Sequence, residues 1–133
     1  MDIFVGNSIL SKGMCDVYEA VNGTSLICLG AEDINSVMKD ARSVCIGVGF
    51  ANGSDRAERA VRMAVNSLPD NTVNNAKAII LSIAGDSHLG TLEIDNISNM
   101  VKKLADEDAE LILGANVKQR IDCEIRVTII AIT

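Results

Sequence analysis

Twice in succession this sequence runs from an apolar, strand-like stretch through a glycine-edged loop into an amphipathic helix, and that repeat narrows the possible folds more than any other feature. The first unit is SVCIGVGFANGSDRAERAVRMA, residues 43–64. Val44, Cys45 and Ile46 form an apolar run suited to a covered strand. Gly47, Gly49 and Gly53 follow and read as a tight turn, because glycine accepts conformations that a Cβ obstructs. Ser54 is placed to cap the next helix, and Asp55 suits its positive end. Ala57, Ala60, Val61, Ala64 and Val65 recur at helical spacing as one stripe, and the small alanines let this helix lie close on a sheet. The second unit starts with AKAIILSIA, residues 76–84, and passes through Gly85–Gly90. It ends in a helix capped by Thr91, with Ile94, Ile97, Val101 and Leu104 as its stripe.

The flanking segments complete an α+β plan. Leu10, Met14, Val17 and Val21 have helical spacing within Asn7–Asn22, and Asn22-Gly23 is a stop signal. A short helix is expected over Ala31–Lys39, with Ile34, Val37 and Met38 inward. The signature helix stops before Leu68-Pro69-Asp70, and Asp70–Asn75 reads as a polar loop. Ala109–Leu113 and Cys123–Ile132 read as two further strands, joined by the polar stretch Gly114–Asp122 and expected to pair as a hairpin. On the last strand, Cys123, Ile125, Val127 and Ile129 would face inward and Glu124, Arg126 and Thr128 outward. Ile130 and Ile132 break that alternation, so the second sheet face is expected to be partly covered near the chain's end. The expected fold is α+β in two layers, a four-stranded mixed sheet with helices packed on one face, preceded by an N-terminal helix. Residues 1–42 would be a central-helix-like connecting segment and residues 43–133 the domain.

Composition excludes several functions. Apolar residues make up 48% of the chain but aromatic residues only 2%, so the core must be aliphatic. The net charge of -6, with no basic cluster, argues against a nucleic-acid partner, which needs concentrated Lys and Arg. No apolar run approaches the roughly 20 residues of a membrane span. The start MDIFVGN carries an acid where a signal peptide carries positive charge, so a cytoplasmic protein is expected. Cys15, Cys28, Cys45 and Cys123 show no close pairing and read as free core thiols. The single histidine, His88, lies far from them in sequence, and no metal site is expected. Gly47-x-Gly49-x-x-x-Gly53 is one residue too long for a dinucleotide fingerprint, and no G-x-x-x-x-G-K motif is present. Nucleophile-elbow and zinc-protease motifs are absent. The acidic run Asp106, Glu107, Asp108 and Glu110 reads as a solvated turn. Asp55 and Arg56 read as a cap or an ion pair.

Four stretches together resemble a known family: DINSVM (33–38), CIGVGFANGSDRAER (45–59), AKAIILSI (76–83) and IRVTIIAIT (125–133). In this order they are similar to the C-terminal domain of FtsZ, the bacterial tubulin-like cell-division protein, with part of its central helix. The signature carried by Gly47, Gly49, Ala51, Gly53, Asp55, Arg56 and Ala57 is the main point of likeness. The resemblance implies a tubulin-superfamily module in which Gly47, Gly49, Gly53, Asp55 and Arg56 are architectural. It also implies that Asn7, at the start of a central-helix-like segment, and the nearby Phe4 are nucleotide-contact positions. The family's loop that reaches the next subunit's GTP carries an Asn-x-Asp pair and a later Asp. Here those positions read Cys28, Gly30 and Asp33. Glycine cannot replace a carboxylate that polarises water, so hydrolysis by this chain is not expected.

The resemblance further implies that the GTP-binding half is missing from this chain, as is the tail that recruits membrane tethers. No cofactor is then expected, and GTP only if a separate GTP-binding half is present. The implied partners are proteins, either FtsZ-like subunits or further copies of the chain as a homo-oligomer. A different reading keeps the same topology but makes it a stand-alone small-molecule-binding or enzymatic domain. Its pocket would lie at the Gly47–Gly53 and Gly85–Gly90 loops.

Overall fold

The computed structural model describes residues 2–3, 16–18, 29–39, 41–118 and 125–133. Its elements in chain order are β1 (Asp2–Ile3), α1 (Ala31–Met38), β2 (Ser43–Ala51), α2 (Arg56–Asn66), the single turn α3 (Thr72–Asn75), β3 (Ala78–Gly85), α4 (Thr91–Leu104), β4 (Glu110–Val117) and β5 (Ile125–Ile132). Asp16–Tyr18 are also helical. Four long strands and the two-residue β1 form one mixed sheet in the order β1-β2-β5-β3-β4. β1 runs parallel to β2 and β4 parallel to β3, while β5 is antiparallel to both β2 and β3.

The two strand–loop–helix units fold as a pair because their helices share one sheet face. Ala60, Val61 and Ala64 of α2 and Ile94, Ile97 and Val101 of α4 are buried against Ile79, Leu81, Ile83, Ile125, Val127 and Ile129. This is the expected α+β arrangement of helices on a mixed sheet. Leu104, the last residue of the expected α4 stripe, is 46% exposed.

The opposite face carries its own apolar cluster. Val44, Ile46, Val48, Ala78, Ile80, Ile112, Ile130 and Ile132 pack with Val17, Leu29 and Val37 from the N-terminal part of the chain. Ile130 and Ile132 therefore break the alternation because a second layer covers them. The same layer buries Arg126 and Thr128, which simple alternation turned outward to solvent. Both faces of β5 are covered, so a period-2 pattern was the wrong template for it.

The expected hairpin of the last two strands does not form. β5 inserts between β2 and β3, pairing along its length with both, and β4 lies at the sheet edge beside β3. A central, doubly paired position suits the more apolar strand: all eight residues of β5 are buried, whereas β4 begins and ends exposed. β4 also extends to Val117, into the stretch read as a polar connection. The polar loop 70–75 contains the turn α3, because Val73 reaches the core. Most of the expected N-terminal helix, together with Cys15 and Cys123, lies outside the described residues.

Candidate functional site

The signature loop and the second glycine-edged loop meet at one end of the sheet. β2 and β3 run the same way on either side of β5, and their last residues, Ala51 and Gly85, both partner Ile125. Arg56 at the start of α2 reaches across this end. Its Nε donates to Glu93 Oε2 at 2.7 Å, its second nitrogen to Glu93 Oε1 at 2.5 Å, and its third to Asp86 Oδ1 at 3.2 Å. The Arg56 side chain is 11% exposed, and those of Asp86 and Glu93 about a quarter. A two-pronged guanidinium–carboxylate contact fixes direction as well as distance. One residue therefore ties the first helix to the start of the second.

Charge follows this geometry. The Glu93 hydrogen bond is the largest influence on Arg56 and raises its pKa above the ordinary value, despite desolvation. Burial pushes the Asp86 carboxyl up. The hydrogen bond from the His88 backbone N–H and the contacts with Arg56 outweigh burial, and its pKa falls below the ordinary value. His88 itself is exposed, with Nδ1 3.6 Å from Asp86 Oδ2.

The signature glycines have two different jobs. Gly47 and Gly49 lie inside β2, not in a turn as expected from the sequence. A Cβ on Gly49 would fall 1.9 Å from the Ala60 carbonyl oxygen, and one on Gly47 2.4 Å from that of Ala64. Their absent side chains let α2 rest directly on the strand, so its alanine stripe and the strand glycines are one packing solution. Only Gly53 serves the turn, at φ +78°. Ser54 does not cap α2. The N-cap is Asp55, which adopts the left-handed conformation (φ 56°) and makes no side-chain cap bond. Arg59 holds this loop instead, donating to the carbonyl oxygens of Asn52 and Ser54. Thr91 likewise is the first residue of α4, whose N-cap is Gly90.

On the other face a buried ion cluster joins the N-terminal segment to β5. Arg126 donates to Asp16 from Nε at 2.6 Å and from a terminal nitrogen at 2.9 Å, and Lys118 contacts the same carboxylate. Asp16 is 1% exposed and Arg126 4%. Ser82 and Thr128, cross-strand partners on the same sheet face, have buried hydroxyls with no hydrogen-bond partner among the described residues. Asp16 and Lys118 gave no signal in the sequence, while Glu93 read only as an acid in its helix's first turn and Asp86 only as an acid too late for a dinucleotide site, since their pairing depends on partners distant along the chain.

Asn7, Phe4 and Cys28 lie outside the described residues. Gly30 is the exposed N-cap of α1, and Asp33 sits exposed in its first turn. A Cβ at position 30 would stand 2.9 Å from an Asp33 carboxylate oxygen. Gly30 and Asp33 are thus neighbours, with one carboxylate between them. At the sheet end Arg56 spans from the start of α2 to Asp86 in the second loop. Beside it runs an open groove of about 600 Å³ between α2 and α4, lined by Gly53, Arg56, Glu93, Asn96, Asn99 and Lys103 among others. Among the described residues no group of three or more His, Cys, Asp or Glu side chains is arranged to hold a metal ion, and no helix is long and apolar enough to cross a membrane.

Comparison with known proteins agrees with this architecture. Residues 42–133 match the model of the FtsZ family, C-terminal domain. The fold superposes on an empty FtsZ dimer structure from M. jannaschii with a TM-score of 0.85 at 25% identity, covering 94% of this chain and 37% of that one. A point-mutant FtsZ from the same organism gives a TM-score of 0.84 at 25% identity, with 94% and 38% covered. The chain therefore spans a little over a third of the length of these FtsZ chains. A family match over 42–133, on a fold whose signature loop, glycine bed and mixed sheet are all in place, makes this chain a member of the FtsZ family through its C-terminal domain.

Proposed function

We propose that this chain is a docking module of the FtsZ type, contributing subunit contacts in filament assembly or cell division without hydrolysing GTP itself. The observation that carries this reading is the use made of the signature. Gly47 and Gly49 are covered by α2, and Arg56 is held by Glu93 and Asp86. These three signature residues thus serve packing and the join between the two strand–loop–helix units. The position that in the family supplies a carboxylate to the neighbouring nucleotide is Gly30, which has none to offer a water molecule. The similar M. jannaschii structure is described as an FtsZ dimer, in keeping with a protein partner of the same kind.

Titration of the purified chain into FtsZ assembling with GTP tests the proposal. The chain is expected to pellet with the polymer or to change its mass at substoichiometric amounts. A chain that stays in the supernatant while polymer mass is unaltered contradicts it.

A further inference from the structure

From the groove between α2 and α4 we infer a binding site for a short extended peptide, held by its backbone, with a basic residue at one end and an acidic residue at the other. It holds whether or not the chain docks on FtsZ subunits. The groove is open and about 600 Å³, within the range of ligand sites. Its apolar lining is Ala57 and Met100, both half-buried against the core. Its long wall is the side of α4 that carries Glu93, Asn96, Asn99 and Lys103. From Glu93 to Lys103 the helix rises about 15 Å, the reach of about five extended residues. Two amides on this wall select a backbone. Asn96 and Asn99 are exposed, and among the described residues neither side chain has a hydrogen-bond partner. An Asn amide offers donors and an acceptor on one plane, so it can pair with the C=O and N–H of a peptide chain. Three residues apart on a helix, the two amides are neighbours, with Cβ atoms about 5–6 Å apart. Along one edge of an extended chain, backbone groups that point the same way recur about every 6.7 Å. Two neighbouring amides therefore match two successive backbone pairs.

Charge sets the two ends. Glu58 is paired with Arg62 on the surface, and Glu93 is held by Arg56. Asp55 and Lys103 are the charges of the lining that no neighbour engages among the described residues. Asp55 adjoins Arg56, whose contact with Glu93 places both at the start of α4, and its carboxylate makes no cap bond. Arg56 already faces two carboxylates there, Glu93 and Asp86, so this end is negative. Lys103 stands at the other end, in the last turn of α4. A peptide with Lys or Arg beside Asp55 and Asp or Glu beside Lys103 answers both. A free amino acid carries both charges but is too short to reach from one end to the other.

Backbone amide chemical-shift titration of the isotope-labelled chain tests this site. The probes are two end-blocked peptides, Lys-Val-Thr-Val-Glu and its reverse Glu-Val-Thr-Val-Lys, with Gln-Val-Thr-Val-Gln as the uncharged control. We expect one of the two charged orders to give saturable shifts centred on residues 53–58 and 93–103, weakened by salt. Asn96→Ala and Asn99→Ala, both at exposed positions, should each raise the dissociation constant about fivefold, the loss of one ordinary hydrogen bond. Lys103→Glu should weaken that peptide and strengthen binding of Lys-Val-Thr-Val-Lys, a swap that a change in fold does not produce. The same spectra report whether each variant is folded. No saturable shift with either order, shifts centred outside the groove, or a control that binds as tightly as the charged probes overturns the inference.

Discussion

A methyl group added at Gly49 would lie 1.9 Å from the Ala60 carbonyl oxygen and 2.6 Å from the Ala64 nitrogen, both on helix backbone that has little room to move. Gly49→Ala is therefore expected to destabilise the fold by about 3 kcal/mol, the upper range for overpacking, as measured by urea denaturation. An alanine at Gly90, which has open space around its Cβ position, should cost far less. The alanine stripe of α2 and its close approach to the sheet were legible in the sequence. The role of Gly47 and Gly49 was not. A glycine adds nothing to an apolar pattern, so two of them inside a strand looked like the start of a turn. Arg56 and Asp86 give a second test at this scale. The folded-state pKa of Asp86 is lowered, so its contribution to stability is present above the unfolded-state value of about 3.9 and is lost as pH falls through the folded value. Asp86→Asn should flatten the acid limb of the stability–pH curve and leave its slope near neutrality unchanged. An unchanged acid limb would mean that the Arg56 contact contributes nothing.

The elements most difficult to place from sequence were those whose partners lie far along the chain. Strand periodicity found all four long strands, but their order depended on which strand could tolerate neighbours on both edges and layers on both faces. β5 does so because Ile125, Val127, Ile129 and Ala131 meet the α2–α4 layer while Ile130 and Ile132 meet the N-terminal segment. Arg126 interrupts that apolar strand and looked solvent-facing, since nothing local announces Asp16, 110 residues away. The cluster of Asp16, Arg126 and Lys118 holds the helical turn at residues 16–18 to the sheet. Asp16→Asn would leave a buried guanidinium without its carboxylate, a change that costs about 3–5 kcal/mol. Arg126→Met introduced into that variant should recover part of the loss, because it removes the uncompensated charge. The check is a double-mutant cycle by chemical denaturation. If the two substitutions are simply additive, the cluster does not hold the segment.

At the scale of the whole molecule, composition and pattern were enough to foresee an aliphatic core, a mixed sheet and helices on one face, because burial leaves its period on every long element. The second layer was legible only as a broken alternation at Ile130 and Ile132. The clasp at the sheet end was not legible at all, since ion pairs between distant residues leave no periodic trace. What the folded arrangement adds is an assignment of roles: the signature glycines make room for a helix, the signature arginine locks two loops, and Gly30 faces outward without a carboxylate. The account's central claim is that these residues build a scaffold and perform no chemistry on a nucleotide. Phosphate release from GTP by the purified chain, followed over a concentration series, tests that claim most directly. The account expects release no faster than in buffer alone at every protein concentration. Turnover that rises with protein concentration would contradict it.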